Sequence, residues 1–247
     1  MRCVRDIGLK CYRPQFVHGL KKSDPGKRLE FANFLFEMLG EDEDFLDRIL
    51  WTDEAKFNLS GMINRHNCVY WSDENHHVTM KEGIRSSGVN VWAGIWSGGI
   101  IGPFFITENL TGERYKQLLE DQVVPAIMEQ CPIDIIFQQD GVPCHYAVVV
   151  RNFLNHVYPQ SWIGRKGPVA WPPRSCDLTP MDFSVWGIVR DLVFTEPPAD
   201  IELIKVMLQE AFATFTPDLC AKICRNVELR VSVCFDQDGN QFEHLFT

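Results

Sequence analysis

The sequence predicts an α/β fold in which a mixed sheet is flanked by helices, and three observations predict it. Short alternating or apolar runs fill most of residues 51–106, and a further apolar run at 133–139 ends in an acid. Amphipathic stretches with three- and four-residue apolar spacing flank that run and follow it. Strands met first in succession and later separated by helices give a sheet that is antiparallel at its beginning and parallel at its end.

From Ser23 the pattern is helical: Pro25 lies near the start, Leu29, Ala32, Phe36 and Leu39 recur at helical steps, and Gly40 ends the run. A short second helix, EDFLDRIL, leads into ILWTDEAKFNLSG. There Trp51, Asp53, Ala55 and Phe57 alternate onto one face, as a strand requires. Strand-like runs follow at HNCVYW, GVNVWAGIW and IIGPFFI, a meander punctuated by Gly61 and Gly98-Gly99. Thr111 caps the helix TGERYKQLLEDQVVPAIMEQ, whose apolar face is Tyr115, Leu118, Leu119 and Val123, and Pro125 kinks or splits it. IDIIFQQD reads as a buried central strand, turned by Gly141 and Pro143 into a helix beginning near His145. A Gly/Pro-rich link carries a short strand at Gly167 to Trp171, and Thr179-Pro180 opens the next helix. Residues 199–229 give two more amphipathic helices, broken at Thr216-Pro217, and the tail from Val231 gives no pattern.

Composition narrows the classes. The chain has 247 residues, 45% of them hydrophobic, so it can bury about 70% of its unfolded surface and is neither disordered nor collagen-like. No apolar run reaches the ~20 residues of a bilayer-spanning helix, and MRCVRDIGLK lacks the apolar core of a signal peptide. The expectation is a soluble, intracellular protein without a membrane partner. Its nine cysteines are odd in number, scattered and free of C-x-x-C, and read as reduced thiols. Charge is uneven: eight basic side chains against Asp6 and Asp24 leave +6 over residues 1–28, so the remainder carries −15 of the total of −9. The leader reads as a linker remnant, as an arm that touches phosphate, or as a solvated terminus.

Three acids lie at element ends. Asp53 interrupts WTDEAKF, Asp140 closes IIFQQD, and Asp182 lies in the first turn of the helix after the last strand. Acids at the ends of neighbouring strands with one on a flanking helix suit divalent cations, which take carboxylate oxygens. Each acid alone has an ordinary explanation. Asp53 would face solvent on an edge strand or cap a turn, Asp140 before Gly141 is a turn opener, and Thr179-Pro180-Met181-Asp182 fits a helix-capping box. His76-His77 suits a solvated polar loop better than a metal site, and His145 suits packing or hydrogen bonding better than general-base work. There is no G-x-S-x-G and no Gly-rich phosphate loop, so nucleophilic hydrolases and P-loop enzymes find no support.

Taken together and in order, WTDEAKF, QQDGVPCH and WPPRSCDLTPMDFSVWG resemble the catalytic domain of the Tc/mariner superfamily of cut-and-paste transposases. The resemblance runs from about Tyr12 through Phe194, and YRPQFVHGL is similar to the linker that follows the helix-turn-helix units of such proteins. It implies a ribonuclease H-like fold, a mixed five-stranded sheet flanked by helices. It also implies a DDD triad of Asp53, Asp140 and Asp182 that serves as both catalytic and metal-binding residues, holding two Mg²⁺ or Mn²⁺ ions. Asp177 matches a position outside the triad. The 41 residues between Asp140 and Asp182 exceed the spacer of mariner elements, and the excess falls in the Gly/Pro-rich link. Cys176 stands where the family usually has Pro, and Cys144 where it has Pro or Ser.

The domain reading that follows is a basic linker remnant at 1–22, the catalytic domain at 23–198, and a helical extension and tail at 199–247. The implied function is phosphodiester cleavage and joining in DNA transposition, with transposon ends and target DNA as partners and no small-molecule substrate. A homodimer and a nuclear location follow from the family alone, since Lys21-Lys22 is too short for a localisation signal. Lys21 and Lys22, with Arg174 and Trp171, are the candidate DNA contacts; for Trp171 packing is the first reading and base stacking the second. The alternative from another class is a transposase-derived binding module that keeps the scaffold without cleavage.

Overall fold

A computed structural model describes residues 19–59, 88–131, 134–195 and 198–246. The expected strand at HNCVYW, the pair His76-His77 and the leader up to His18 lie outside the described residues. The first helix, α1 (Asp24–Glu41), carries Pro25 in its first turn and buries Phe31, Ala32 and Leu35. The expected second helix is a single 3-10 turn, Phe45–Arg48, because the strand β1 (Ile49–Asn58) already begins at Ile49. β2 (Gly88–Trp96) and β3 (Gly99–Ile106) complete the antiparallel half.

α2 (Gly112–Leu118) starts where the Thr111 hydroxyl accepts the Arg114 N–H at 3.3 Å, as expected for a cap. It runs through a π-helical turn, Leu119–Val123, into α3 (Val124–Gln130), which carries Pro125 in its first turn. Proline lacks the N–H that an uninterrupted α-helix would need at that position, and the wider turn just before it accommodates the loss. β4 (Ile136–Gln138) precedes α4 (Val148–Val157), so the helix expected near His145 begins three residues later. The last strand is β5 (Trp162–Ile163), earlier than the expected run at Gly167 to Trp171; from that run only Val169 reaches the sheet, through one bridge to Ile163. A second π-helical turn, Met181–Val185, opens α5 (Trp186–Val193), and α6 (Ile201–Ala213) and α7 (Pro217–Asp236) follow.

The five strands lie in the order β3-β2-β1-β4-β5. β1 pairs antiparallel with β2 and parallel with β4, and β4 pairs parallel with β5. β1 is therefore central, and its side chains alternate between two cores. Ile49, Trp51, Ala55 and Phe57 join α1, α5, α6 and α7 on one face. Leu50 joins Trp92, Phe137 and the α2, α3 and α4 side chains on the other. Residues 199–246 thus supply helices to the same core as the sheet, and α7 extends well past Val231, where the sequence carries no clear pattern. Trp51 is fully buried with its indole N–H unpaired. Burying the ring is worth about 4–6 kcal/mol of gross transfer free energy, which outweighs the roughly 1–3 kcal/mol lost on an unsatisfied donor.

A buried ion pair ties the two ends of the described chain to the third motif. Arg28 of α1 grips Asp177 with both arms of its guanidinium, at 2.7 and 2.6 Å, and both side chains are buried. Its remaining donors reach the Gly239 carbonyl at 2.8 Å and the Ser175 hydroxyl at 2.9 Å. Gly239 has φ +75°, and a Cβ there would meet the Pro25 carbonyl at 2.3 Å, so only glycine fits. Arg230 of α7 donates to the Asp177 carbonyl at 2.8 Å and lies over the Phe183 ring at 4.1 Å. Removing one member of such a pair strands the other charge. Arg28→Met is expected to destabilise the protein by about 3–5 kcal/mol, and Arg28→Met with Asp177→Leu by clearly less. Urea unfolding of the three proteins measures this, and a double variant no more stable than the single would show that the two charges are not coupled.

Candidate active site

The strand register brings the first two acids level. Ile49 faces Ile136 and Trp51 faces Gln138, and the same offset, carried two residues past the end of β4, would set Asp53 level with Asp140. The buried Gln138 locks that register, and the buried Gln139 braces the turn that follows. The Thr52 hydroxyl donates to the Gln138 carbonyl at 2.7 Å, the Thr52 N–H donates to the Gln138 side-chain oxygen at 3.2 Å, and the Gln139 amide donates to the His145 carbonyl at 2.9 Å. β1 lies inside the sheet, which removes the edge-strand explanation of Asp53.

Asp53 shares the face of Trp51 and Ala55, and its Oδ2 accepts the Trp186 indole N–H at 2.8 Å. Burial, then the charges of Asp182 and Glu54, push its carboxyl well above the usual range, and the indole bond offsets this only in part. Asp182 lies in the π-helical turn that leads into α5, close enough to repel Asp53. The capping box expected at Thr179 does not form through its hydroxyl, which is buried without a hydrogen bond; its carbonyl receives the Asp182 N–H at 3.1 Å instead.

Glu54, one residue on, points to the opposite face and meets a different partner. His145 is buried between two carboxylates, with Nδ1 2.6 Å from Asp140 Oδ1 and Nε2 3.2 Å from Glu54 Oε1. The Tyr115 ring packs on the imidazole at 4.2 Å between centroids. Burial alone would lower the imidazole's pKa, but the Glu54 charge and the Asp140 bond raise it well above its ordinary value, which favours the protonated ring. Burial alone would raise the Asp140 carboxyl, but the His145 bond and the Val142 N–H hold it below its usual value. The Val142 bond, at 3.1 Å to Oδ1, also makes Asp140 the turn opener expected from its sequence context. Both bonds fall on Oδ1.

Among the described residues no three acidic, His or Cys side chains are placed to hold a metal ion together. Asp53 feels the charge of Asp182, while Asp140 is turned onto His145. The four candidate DNA contacts are dispersed. Lys21 and Lys22 are exposed ahead of α1. Arg174, at φ +56°, pairs with the buried Asp24. Trp171 is buried against Phe31 and Trp51, at 5.0 and 6.0 Å between ring centroids, so its ring packs in the core and presents no face for a base. Glu54 and Tyr115 carry no motif that would have singled them out. For Glu54 the signal was present, since strand alternation must send it to the face opposite Asp53.

No protein-family model matches the chain. The Tc1 transposase of Caenorhabditis elegans is 28% identical over 141 residues, which cover 54% of this chain and 47% of that protein. The chain thus spans about half the length of the curated relative it matches. A Mos1 transposase paired-end complex with left transposon end superposes with a TM-score of 0.83 at 21% identity, over 98% of this chain and 70% of that one. The Mos1 catalytic domain with raltegravir and Mn does so with a TM-score of 0.73 at 20% identity, over 92% of this chain and all of that one. The resemblance carried by the three motifs is borne out: in sequence the chain is similar to a Tc1 transposase, and its ribonuclease H-like fold is that of the Mos1 mariner transposase catalytic domain.

Proposed function

We propose that the chain cleaves and joins DNA phosphodiesters in cut-and-paste transposition, with Asp53, Asp140 and Asp182 as a metal-dependent DDD site. One observation carries this reading above the others: Asp53 is held at the centre of the sheet with its charge opposed by burial and by Asp182, and no cation among the described residues offsets it. A buried carboxylate without compensation is costly, and a divalent ion is the partner that would relieve it. Mos1 transposase structures contain Mn or Mg and transposon-end DNA, which supports the same ions and the same class of substrate here. Two ions, a homodimer and a nuclear location belong to the proposal. The alternative of a non-catalytic binding module is not favoured by the comparisons.

When bound, the ions would activate water or a DNA 3′-hydroxyl and stabilise the leaving oxygen. The chain's own residues do the rest. Asp53 and Asp182 offer oxygens from β1 and from the turn before α5, and the Trp186 N–H fixes the Asp53 rotamer. Asp140 gives Oδ1 to His145 and Val142, which leaves Oδ2 for an ion. The protonated His145 orients Asp140 and Glu54 together while removing part of their mutual repulsion. No side chain takes the role of nucleophile, and the Cys176 thiol beside the third acid is pushed up to about 12 by burial and by Asp182, so it stays protonated.

Two predictions follow from these charges. Because the Asp53 carboxyl is raised in the folded state, it costs nothing while pH is below about 3.9, where both states are protonated, and lowers stability as pH rises through the folded value. Asp53→Asn should therefore raise the Tm of the metal-free protein at neutral pH by about 2–4 °C, the shift of roughly 1 kcal/mol in a chain this long, with the gain vanishing near pH 3. Scanning calorimetry across pH reads both. The function itself is tested by titrating Mn²⁺ into the parent and into Asp140→Asn, with nicking of supplied DNA in parallel. Binding lost in Asp140→Asn and nicking reduced to background in Asp182→Asn are expected; no Mn²⁺ binding by the folded parent, with nicking indifferent to Asp182, would sink the reading.

A further inference from the structure

Beside Asp140 lies a cationic feature that the acids do not use. The turn after β5 carries Arg165 and Lys166, both exposed, between Gly164 and Gly167. The turn is closed on itself: the Gly164 N–H donates to the Val169 carbonyl at 2.9 Å, and the Gly167 N–H to the Gly164 carbonyl at 3.0 Å. Both glycines lie against Trp162, where an added Cβ would come within 2.9 and 2.8 Å of its ring. Lys166 is in the left-handed region at φ +64°, an uncommon conformation for a residue with a side chain. The turn is therefore a shaped element seated on a buried tryptophan, and both long side chains leave it in one direction.

Both side chains converge on Tyr146. The Arg165 guanidinium carbon lies 4.1 Å from the centre of the Tyr146 ring and the Lys166 ammonium 5.7 Å from it. The Arg165 Nη1 donates to the Gly141 carbonyl at 3.4 Å, next in sequence to Asp140. Tyr146 adjoins His145, which bonds Asp140 directly. Among the described residues neither cation pairs with a carboxylate, in a chain of net charge −9. The guanidinium lies over the ring while Arg165 stays exposed, so the side chain is held in place and still accessible to a phosphate.

We propose that Arg165 and Lys166, stacked on Tyr146, form a subsite for the phosphate backbone of duplex DNA, seating a phosphate next to the one acted on at Asp140. This rests on the reading that the three acids process DNA. It names which surface of the acidic globule receives the backbone, and it differs from Lys21, Lys22 and Arg174, of which Arg174 is already paired with Asp24. Backbone contacts of this kind set register and carry no base preference.

Fluorescence anisotropy of a short labelled duplex, in EDTA so that no metal contributes, tests it with the full chain across about 50–200 mM salt. Arg165→Ala with Lys166→Ala should weaken binding on the order of tenfold at the low end and flatten the salt slope by about one, for the one phosphate lost. Lys222→Ala, an exposed cation on α7, serves as the charge control for Lys166→Ala and should change little. Tyr146→Phe should bind as the parent does, and Tyr146→Leu, which keeps both charges without the platform, should fall between the parent and the double variant. A parent that binds duplex while the double variant keeps its affinity and slope would overturn this subsite alone. A parent that does not bind duplex at any salt would overturn the DNA reading and the subsite with it.

Discussion

The central position of β1 governs the arrangement of the site. A strand hydrogen-bonded on both sides and covered on both faces has no freedom to rotate, so consecutive residues are committed to opposite cores. Asp53 and Glu54 are two such residues. One carboxylate is sent toward α5 and Asp182, the other toward α2 and His145. The parallel pairing with β4, locked by Thr52 and Gln138, then decides which residue of the second motif lies beside them. A one-residue slip would replace Asp140 by Gln139 and exchange both faces at once.

The two sides of this arrangement differ in their electrostatics. On the His145 side, two carboxylates share one buried imidazole, which compensates them in part. On the Asp182 side, Asp53 feels the charge of a second carboxylate and accepts an indole N–H that offsets its burial only in part. The His145 side is a frame, and Asp53 is the carboxylate that gains most by taking up an external cation. The third acid owes its position to charges far away in sequence. Arg28, Asp177 and Arg230 anchor the 3-10 turn Cys176–Leu178, a few residues before Asp182, to α1 and α7.

Much of this was legible in the sequence wherever a signal is local. The alternation of WTDEAKF placed Asp53 on the Trp51 face, Thr111 and Pro125 marked the start and the interruption of the long helix, and Thr216-Pro217 separated the last two. Elements too short to show a period were misplaced. β5 is only two residues long, so no alternation distinguishes it from the Gly/Pro-rich link around it. Partnerships across long separations were not legible at all. His145 reads as a packed, hydrogen-bonding residue and is one, but its bond to Glu54 spans 91 positions, and Arg28 to Asp177 spans 149. Nothing in the local context of any of these residues encodes its partner. Arg174 looked available for DNA because its companion Asp24 stands more than a hundred residues upstream, whereas for Trp171 packing, the first reading, is what the structure shows.

The π-helical turn at Met181–Val185 has a consequence for how this sequence can change over time. Such a turn is an α-helix holding one surplus residue, bulged outward. Deleting a residue within it would restore an ordinary helix and keep Trp186, Val189 and Val193 buried, but Met181 and Val185, which the turn itself buries in the core, would have to repack. It would also rotate everything before the deletion by about 100° around the helix axis, and Asp182 with it. The length of this turn is thus held twice, by the position of one carboxylate and by the packing of Met181 and Val185. A lineage no longer under selection for that carboxylate would still meet a packing penalty on shedding the bulge.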